Sequence, residues 1–247
     1  LTMKRMSPFL LMDYAPAHYF PPNTGAPRGV GSHPHRGIET VTIAYKGRVE
    51  HHDSSGGGGI IAEGDVQWMT SGSGILHKEY HEKKFSKKGG DMQMVQLWVN
   101  LPAKDKMTTP KYQNLNKKNI TKVSLEDNSG TIHIIAGQFE NHKGPASTFS
   151  PLNLFNIKLY KGKGISLNLP KEHNTGLLIT KGSVTINNTE KAPANHFVLF
   201  QNDGTEFTIR ADEDATILML SGEPIDEPIA SYGPFVMNTN AEIRQTI

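Results

Sequence analysis

The 247-residue chain contains no cysteine, which removes disulfides, thiolate metal ligands and a cysteine nucleophile together. It also suits a reducing compartment. No charge of one sign dominates: 26 basic residues face 24 acidic ones for a formal net charge of +2, so the electrostatic footprint of a dedicated nucleic-acid binder is missing. No apolar run approaches the length of a membrane span. The segment 8-PFLLMDYAP-16 is too short and too polar at its edges for the apolar part of a secretory signal. The expectation is a cytoplasmic protein that contacts neither nucleic acid nor membrane directly, and a monomer. Helical periodicity is scarce too, which argues against a bundle.

What the chain does have is 24 glycines and 15 prolines scattered singly between short apolar runs, a spacing that fits many short strands joined by turns. The clearest strand is 38-IETVTIAYKG-47, where Val41, Ile43 and Tyr45 alternate with Thr40, Thr42 and Ala44. Further strands are expected at 60–70, 92–101, 131–137, 154–160, 177–187, 197–200 and 215–222. The polar, lysine-rich segment 101-LPAKDKMTTPKYQNLNKKNI-120 reads as a connector. The second half weakly repeats the first: 41-VTIAYKGRVEH-51 aligns with 177-LLITKGSVTIN-187, and 64-GDVQWM-69 falls near 195-NHFVLF-200. The expected fold class is therefore all-β, two antiparallel barrels of roughly 110 residues each. Residues 1–115 form the first and 121–247 the second, with a tail able to pack back on the first.

The chemistry concentrates at 33-HPH-35. Residues of one parity in a strand share a face, so His33 and His35 are expected to point inward together with Glu39, Val41, Ile43 and Tyr45. Two imidazoles at successive inward positions can bind one ion, although an isolated His-x-His is as often a pair of loop histidines. At 74-GILHKEY-80, His77 and Glu79 repeat the spacing with a carboxylate. Three imidazoles and one carboxylate leave positions open on a six-coordinate metal, a reactive rather than a closed site. His51 and His52 are expected to be solvated beside the turn 53-DSSGGGG-59, with at most one of them able to reach the same cavity. His18, His81, His133, His142, His173 and His196 stand alone. Gly56 to Gly59 lack the context of a phosphate loop and read as a flexible hairpin connection.

Four segments in order, 7-SPFLLMDY-14, 33-HPHRGIETVT-42, 64-GDVQWMTSGSGILHKE-79 and 222-GEPIDEPIASYGPFVMNT-239, resemble the signatures of the pirin family, a bicupin group. The resemblance implies two cupin-type (jelly-roll) barrels stacked face to face, with a metal only in the N-terminal one. It places the ligands at His33, His35, His77 and Glu79 and makes Glu39 a supporting residue. The aligned positions of the second barrel, Asn168, Pro170, Thr208 and Arg210, cannot rebuild such a site. The implied metal is Fe(II), with zinc, nickel, copper, manganese and cobalt as alternatives. The implied activity is a quercetin 2,3-dioxygenase reaction, in which O2 opens a flavonol ring and carbon monoxide leaves. Glu79 would be ligand or general base, and Val41, Ile43, Trp68 and Met94 are candidates for the cavity wall. Other members of the family are regulators that bind a partner protein, so a non-catalytic, redox-responsive role is the alternative. The basic run 81-HEKKFSKK-88 is then a candidate partner surface, or more simply a solvated hairpin tip.

Overall fold

The computed structural model describes residues 4–247. The chain is built almost entirely of antiparallel strands and divides into two compact units, one comprising Pro8–Lys117 with Ile225–Ile247, the other comprising Lys118–Pro224 with the segment ending at Ser7. The final 23 residues, counted from Ile225 to Ile247, belong with the N-terminal barrel. Among the described residues no helix is long and apolar enough to cross a membrane.

The N-terminal barrel is built from β1 (Phe9–Phe20), β2 (Gly29–His35), β3 (Ile38–Lys46), β4 (Arg48–Asp53), β5 (Gly58–Ala62), β6 (Val66–Thr70), β7 (Ile75–His81), β8 (Gly90–Asn100) and β9 (Lys111–Leu115). One sheet runs β1-β8-β3-β6-β9, the other β2-β7-β4-β5. Seven consecutive residues of β3, Ile38 to Ala44, are buried, as expected of a central strand covered on both faces. The run expected as one strand over 60–70 is two, because the chain turns at Gly64 with φ +88°. The segment expected as a connector supplies β9, which pairs with β6 in register Trp68 to Gln113 and Met69 to Tyr112. The basic run expected as a hairpin tip is a short helix, α1 (Lys83–Lys88), whose first turn is capped by the Glu82 carboxylate accepting from the Lys84 and Phe85 amides.

Gly37 sits where β2 leaves one sheet and β3 enters the other. Its φ is +77°, and a Cβ there would lie 2.0 Å from the Val236 carbonyl oxygen, so this corner admits only glycine. The C-terminal segment closes over it. Val236 donates its amide to the Arg36 carbonyl oxygen, and the buried Lys106 ammonium donates to the carbonyls of Gly37 and Val236 and to Asn100 Oδ1 at 2.8, 2.9 and 2.6 Å. The segment ends in a helix, α2 (Asn240–Thr246), with a capping box between Thr239 and Glu242.

The C-terminal unit repeats the plan with a six-stranded and a four-stranded sheet. Its interior is apolar, filled by Ile132, Ile134, Phe155, Ile157, Leu177, Ile179, Ile217 and Met219 among others. Both clusters of metal-ligating side chains found among the described residues lie in the N-terminal unit.

Candidate metal centre

The pairing of β2 with β7 sets His33 directly opposite His77 and His35 opposite Ile75. Residues directly opposite in a ladder share a face, so the three imidazoles converge, with ring centroids 4.2 Å (His33 to His77), 4.9 Å (His35 to His77) and 5.0 Å (His33 to His35) apart. Their ligand atoms lie within 4.8 Å of one another. Each ring has its Nδ1 occupied: His33 Nδ1 is 2.8 Å from the Gly31 carbonyl oxygen, His35 Nδ1 3.3 Å from that of Pro234, and His77 Nδ1 3.4 Å from His51 Nδ1. With the δ nitrogens so engaged, the ε nitrogens are left as lone-pair donors, the usual arrangement in which an outer partner orients a ligating imidazole. His77 Nε2 is buried with no hydrogen-bond partner, an atom that a metal ion would satisfy. Burial, and then the charge of His33, push His35 down to about 4. Burial likewise depresses His77. Both rings are therefore neutral near pH 7, the form that binds metal.

Glu79, two residues along β7, is also buried. Its carboxylate accepts from the Gln67 amide, from Gln96 Nε2 at 2.8 Å and from Thr42 Oγ1 at 3.4 Å, and His51 Nδ1 lies 3.9 Å from Oε1. Burial alone would raise this carboxyl. Hydrogen-bond donors around it, the Gln96 amide among them, outweigh burial and hold Glu79 below the usual carboxylate range, so the group is an anion. The structure groups Glu79 with His77 and His51 rather than with His33 and His35, and His77 is common to both clusters. A set of imidazoles beside one buried anionic carboxylate fits a divalent transition ion.

Two family models match the chain, Pirin over residues 1–99 and the pirin C-terminal cupin domain over 154–247. The chain belongs to the pirin family. A relative from Pseudomonas aeruginosa, provisionally named a quercetin 2,3-dioxygenase, is 50% identical over 99% of this chain and 85% of its own. The crystal structure of a quercetin 2,3-dioxygenase from Acinetobacter baumannii superposes with a TM-score of 0.94 at 49% identity, covering 98% of this chain and 84% of that one. A bacterial pirin of Escherichia coli solved with nickel(II) shares the fold at 23% identity and a TM-score of 0.68, over 89% and 84% of the two chains.

Within this pirin barrel, the expected cavity wall needs correction. The residues of β3, β6 and β8 that reach Glu79 are Thr42, Gln67 and Gln96, mutually paired across the sheet. Trp98, at the same parity as Gln96, meets His35 edge-on at 5.3 Å. By alternation, Glu39, Val41, Ile43 and Trp68 point to the opposite face. The parity count from His33 fails because the chain changes sheets at Gly37. Met94 does share the parity of Gln96, but it packs in the apolar end of the barrel with Ala44, Val49, Ile61 and Met92. Glu39 instead accepts from Thr70 Oγ1 at 2.7 Å.

His51 is the second correction. It is fully buried rather than solvated, stacked on Tyr112 with centroids 4.8 Å apart, while His52 is exposed. The signal was present in β4: Val49, His51 and Asp53 share one parity, and an apolar first member points that face inward. Tyr112 donates its hydroxyl to Gln67 Oε1 at 3.2 Å. Burial, with Glu79 and Asp53 nearby, pushes its phenol well above the usual range, so it stays a donor.

Proposed function

We propose that His33, His35, His77 and Glu79 hold one divalent transition metal, Fe(II) foremost, and that the protein is a dioxygenase opening flavonol-type rings of the quercetin class. The observation that carries the reading is the convergence of three imidazoles, with His77 Nε2 left without a protein partner. The provisional activity of the 50% identical relative supports the substrate class.

When bound, the metal supplies positive charge that acidifies an adjacent enol oxygen and a place for O2 to react beside it. The protein supplies the rest. Glu79 is an anion and so able to take the enol proton on a carboxylate oxygen, but a carboxylate held below its ordinary range is a weak base, so this transfer depends on the acidified substrate. Gln67, Gln96 and Thr42 aim that carboxylate, and Trp98 fixes the His35 ring edge-on. Both atoms of O2 would enter the ring-opened ester while one ring carbon departs as carbon monoxide.

Protein loaded anaerobically with Fe(II) and then given quercetin and air is expected to consume O2 and flavonol together and release carbon monoxide, whereas chelator-treated protein is expected to do neither. Flavonol loss at the same rate with and without the metal would overturn the reading. Elemental analysis of protein purified without added metal identifies the ion.

A further inference from the structure

The geometry points to His51 and Asp53 as a positioning pair that decides which ring nitrogen of His77 is left free of hydrogen to bind a metal. This rests on the reading of His77 as a ligand and extends it to two residues beyond the ligand set. Both side chains of the pair are fully buried, with His51 Nε2 3.1 Å from Asp53 Oδ2. The other Asp53 oxygen, Oδ1, takes the Ser55 amide at 2.9 Å, the Ser55 hydroxyl at 2.6 Å and the Gly57 amide at 3.0 Å. Every group around this carboxylate is a donor, so the proton in its contact with His51 belongs to Nε2.

One proton placement then dictates the next. A single ring hydrogen on Nε2 leaves His51 Nδ1 bare, and that atom lies 3.4 Å from His77 Nδ1. Two bare nitrogens facing each other would repel, so His77 carries its hydrogen on Nδ1 and leaves Nε2 bare. Nε2 is the buried atom without a hydrogen-bond partner. Glu79 Oε1, 3.9 Å from His51 Nδ1, does not need that ring as a donor, because Gln67, Gln96 and Thr42 already serve it.

The glycine-rich turn acquires a purpose from this arrangement. A Cβ on Gly57 would lie 2.4 Å from Asp53 Oδ2 and 2.9 Å from Tyr112 Cβ, and one on Gly58 would lie 2.7 Å from the His51 carbonyl oxygen. The glycines let the turn wrap the aspartate closely enough to saturate it. Tyr112, stacked nearly parallel at 24°, holds the His51 ring from the other side.

The test is the Asp53→Asn variant. With its amide oxygen facing the three donors of the turn, the substituted side chain presents its NH2 to His51 Nε2. His51 must then carry hydrogen on Nδ1, and His77 must move its own to Nε2. Long-range 1H–15N correlation spectra of the metal-free protein are expected to show His77 protonated on Nδ1 in the wild type and on Nε2 in D53N. Competition with a chelator should show Co(II) affinity falling about 10- to 100-fold in D53N, the usual effect of losing an outer partner of a ligating imidazole. Wild-type His77 protonated on Nε2 overturns the proposal, a result that stands even where the variant does not fold. So does D53N with unchanged tautomer and affinity. Wild-type protein that binds no Co(II) while its His77 carries the Nδ1 hydrogen would refute the metal reading alone.

Discussion

Replacing Lys106 by methionine is expected to lower the melting temperature by roughly 5–15 °C and to expose the C-terminal segment to protease. Lys106 is only 1% exposed, and burial pushes its ammonium down from 10.5 to about 8. At about 1.4 kcal/mol per pKa unit, removing the charge relieves roughly 3 kcal/mol. The same change strips donors from the Gly37 and Val236 carbonyls and from Asn100 Oδ1, and each acceptor orphaned in the interior costs about 1–3 kcal/mol. The losses outweigh the relief, leaving a net destabilisation of about 2–5 kcal/mol, with about 2–4 °C lost per kcal/mol in a protein of this size. The site should feel it as well, because the Pro234 carbonyl that orients His35 sits two residues from Val236. Differential scanning calorimetry and limited proteolysis within 225–247 check both parts. A melting point within about 2 °C of wild type, less than the smallest expected loss, with an uncut tail, would show that the clamp is dispensable.

The lysine clamp also shows what could and could not be read in advance. Strands were legible because period-two alternation survives wherever one face is buried, and the convergence of His33, His35 and His77 was legible because side chains on one face of a strand are spaced by two. Lys106 lay hidden in a polar, proline-containing stretch that reads as solvent-exposed. Pro234 acts through a backbone oxygen, which leaves no mark on residue type. Tyr112 was masked in the same way as Lys106, since β9 has no apolar alternation of its own and is a strand only because β6 offers it an edge. His51 was misread for a different reason. Its neighbours Asp53 to Gly59 look like flexible solvent-facing chain, yet the glycines allow tight closure around Asp53.

Glu39 is where sequence and structure part most sharply, and Glu39→Gln measures the difference. In the first motif it reads as a residue supporting the ligands. In the fold it lies across β3 from Thr42, on the face away from Glu79, and accepts from Thr70. Burial pushes its carboxyl up from 4.5 to about 7, against smaller downward pulls from Thr70, Trp68 and Lys111. Between those two values the folded protein holds a proton that the unfolded chain has released, so stability falls as pH rises from 4.5 to about 7. Above that the anion is buried in full, a cost of roughly 3 kcal/mol. Glutamine keeps the shape and removes the titration. E39Q is therefore expected to match wild type near about pH 4.5 and to exceed it by about 2–3 kcal/mol at about pH 8, with metal affinity unchanged. Thermal melts at both pH values and a metal titration decide it. A stability gap that stays constant between those two pH values would contradict the buried-acid account, and a loss of metal affinity in E39Q would return Glu39 to the metal's surroundings, where the parity count from His33 first placed it.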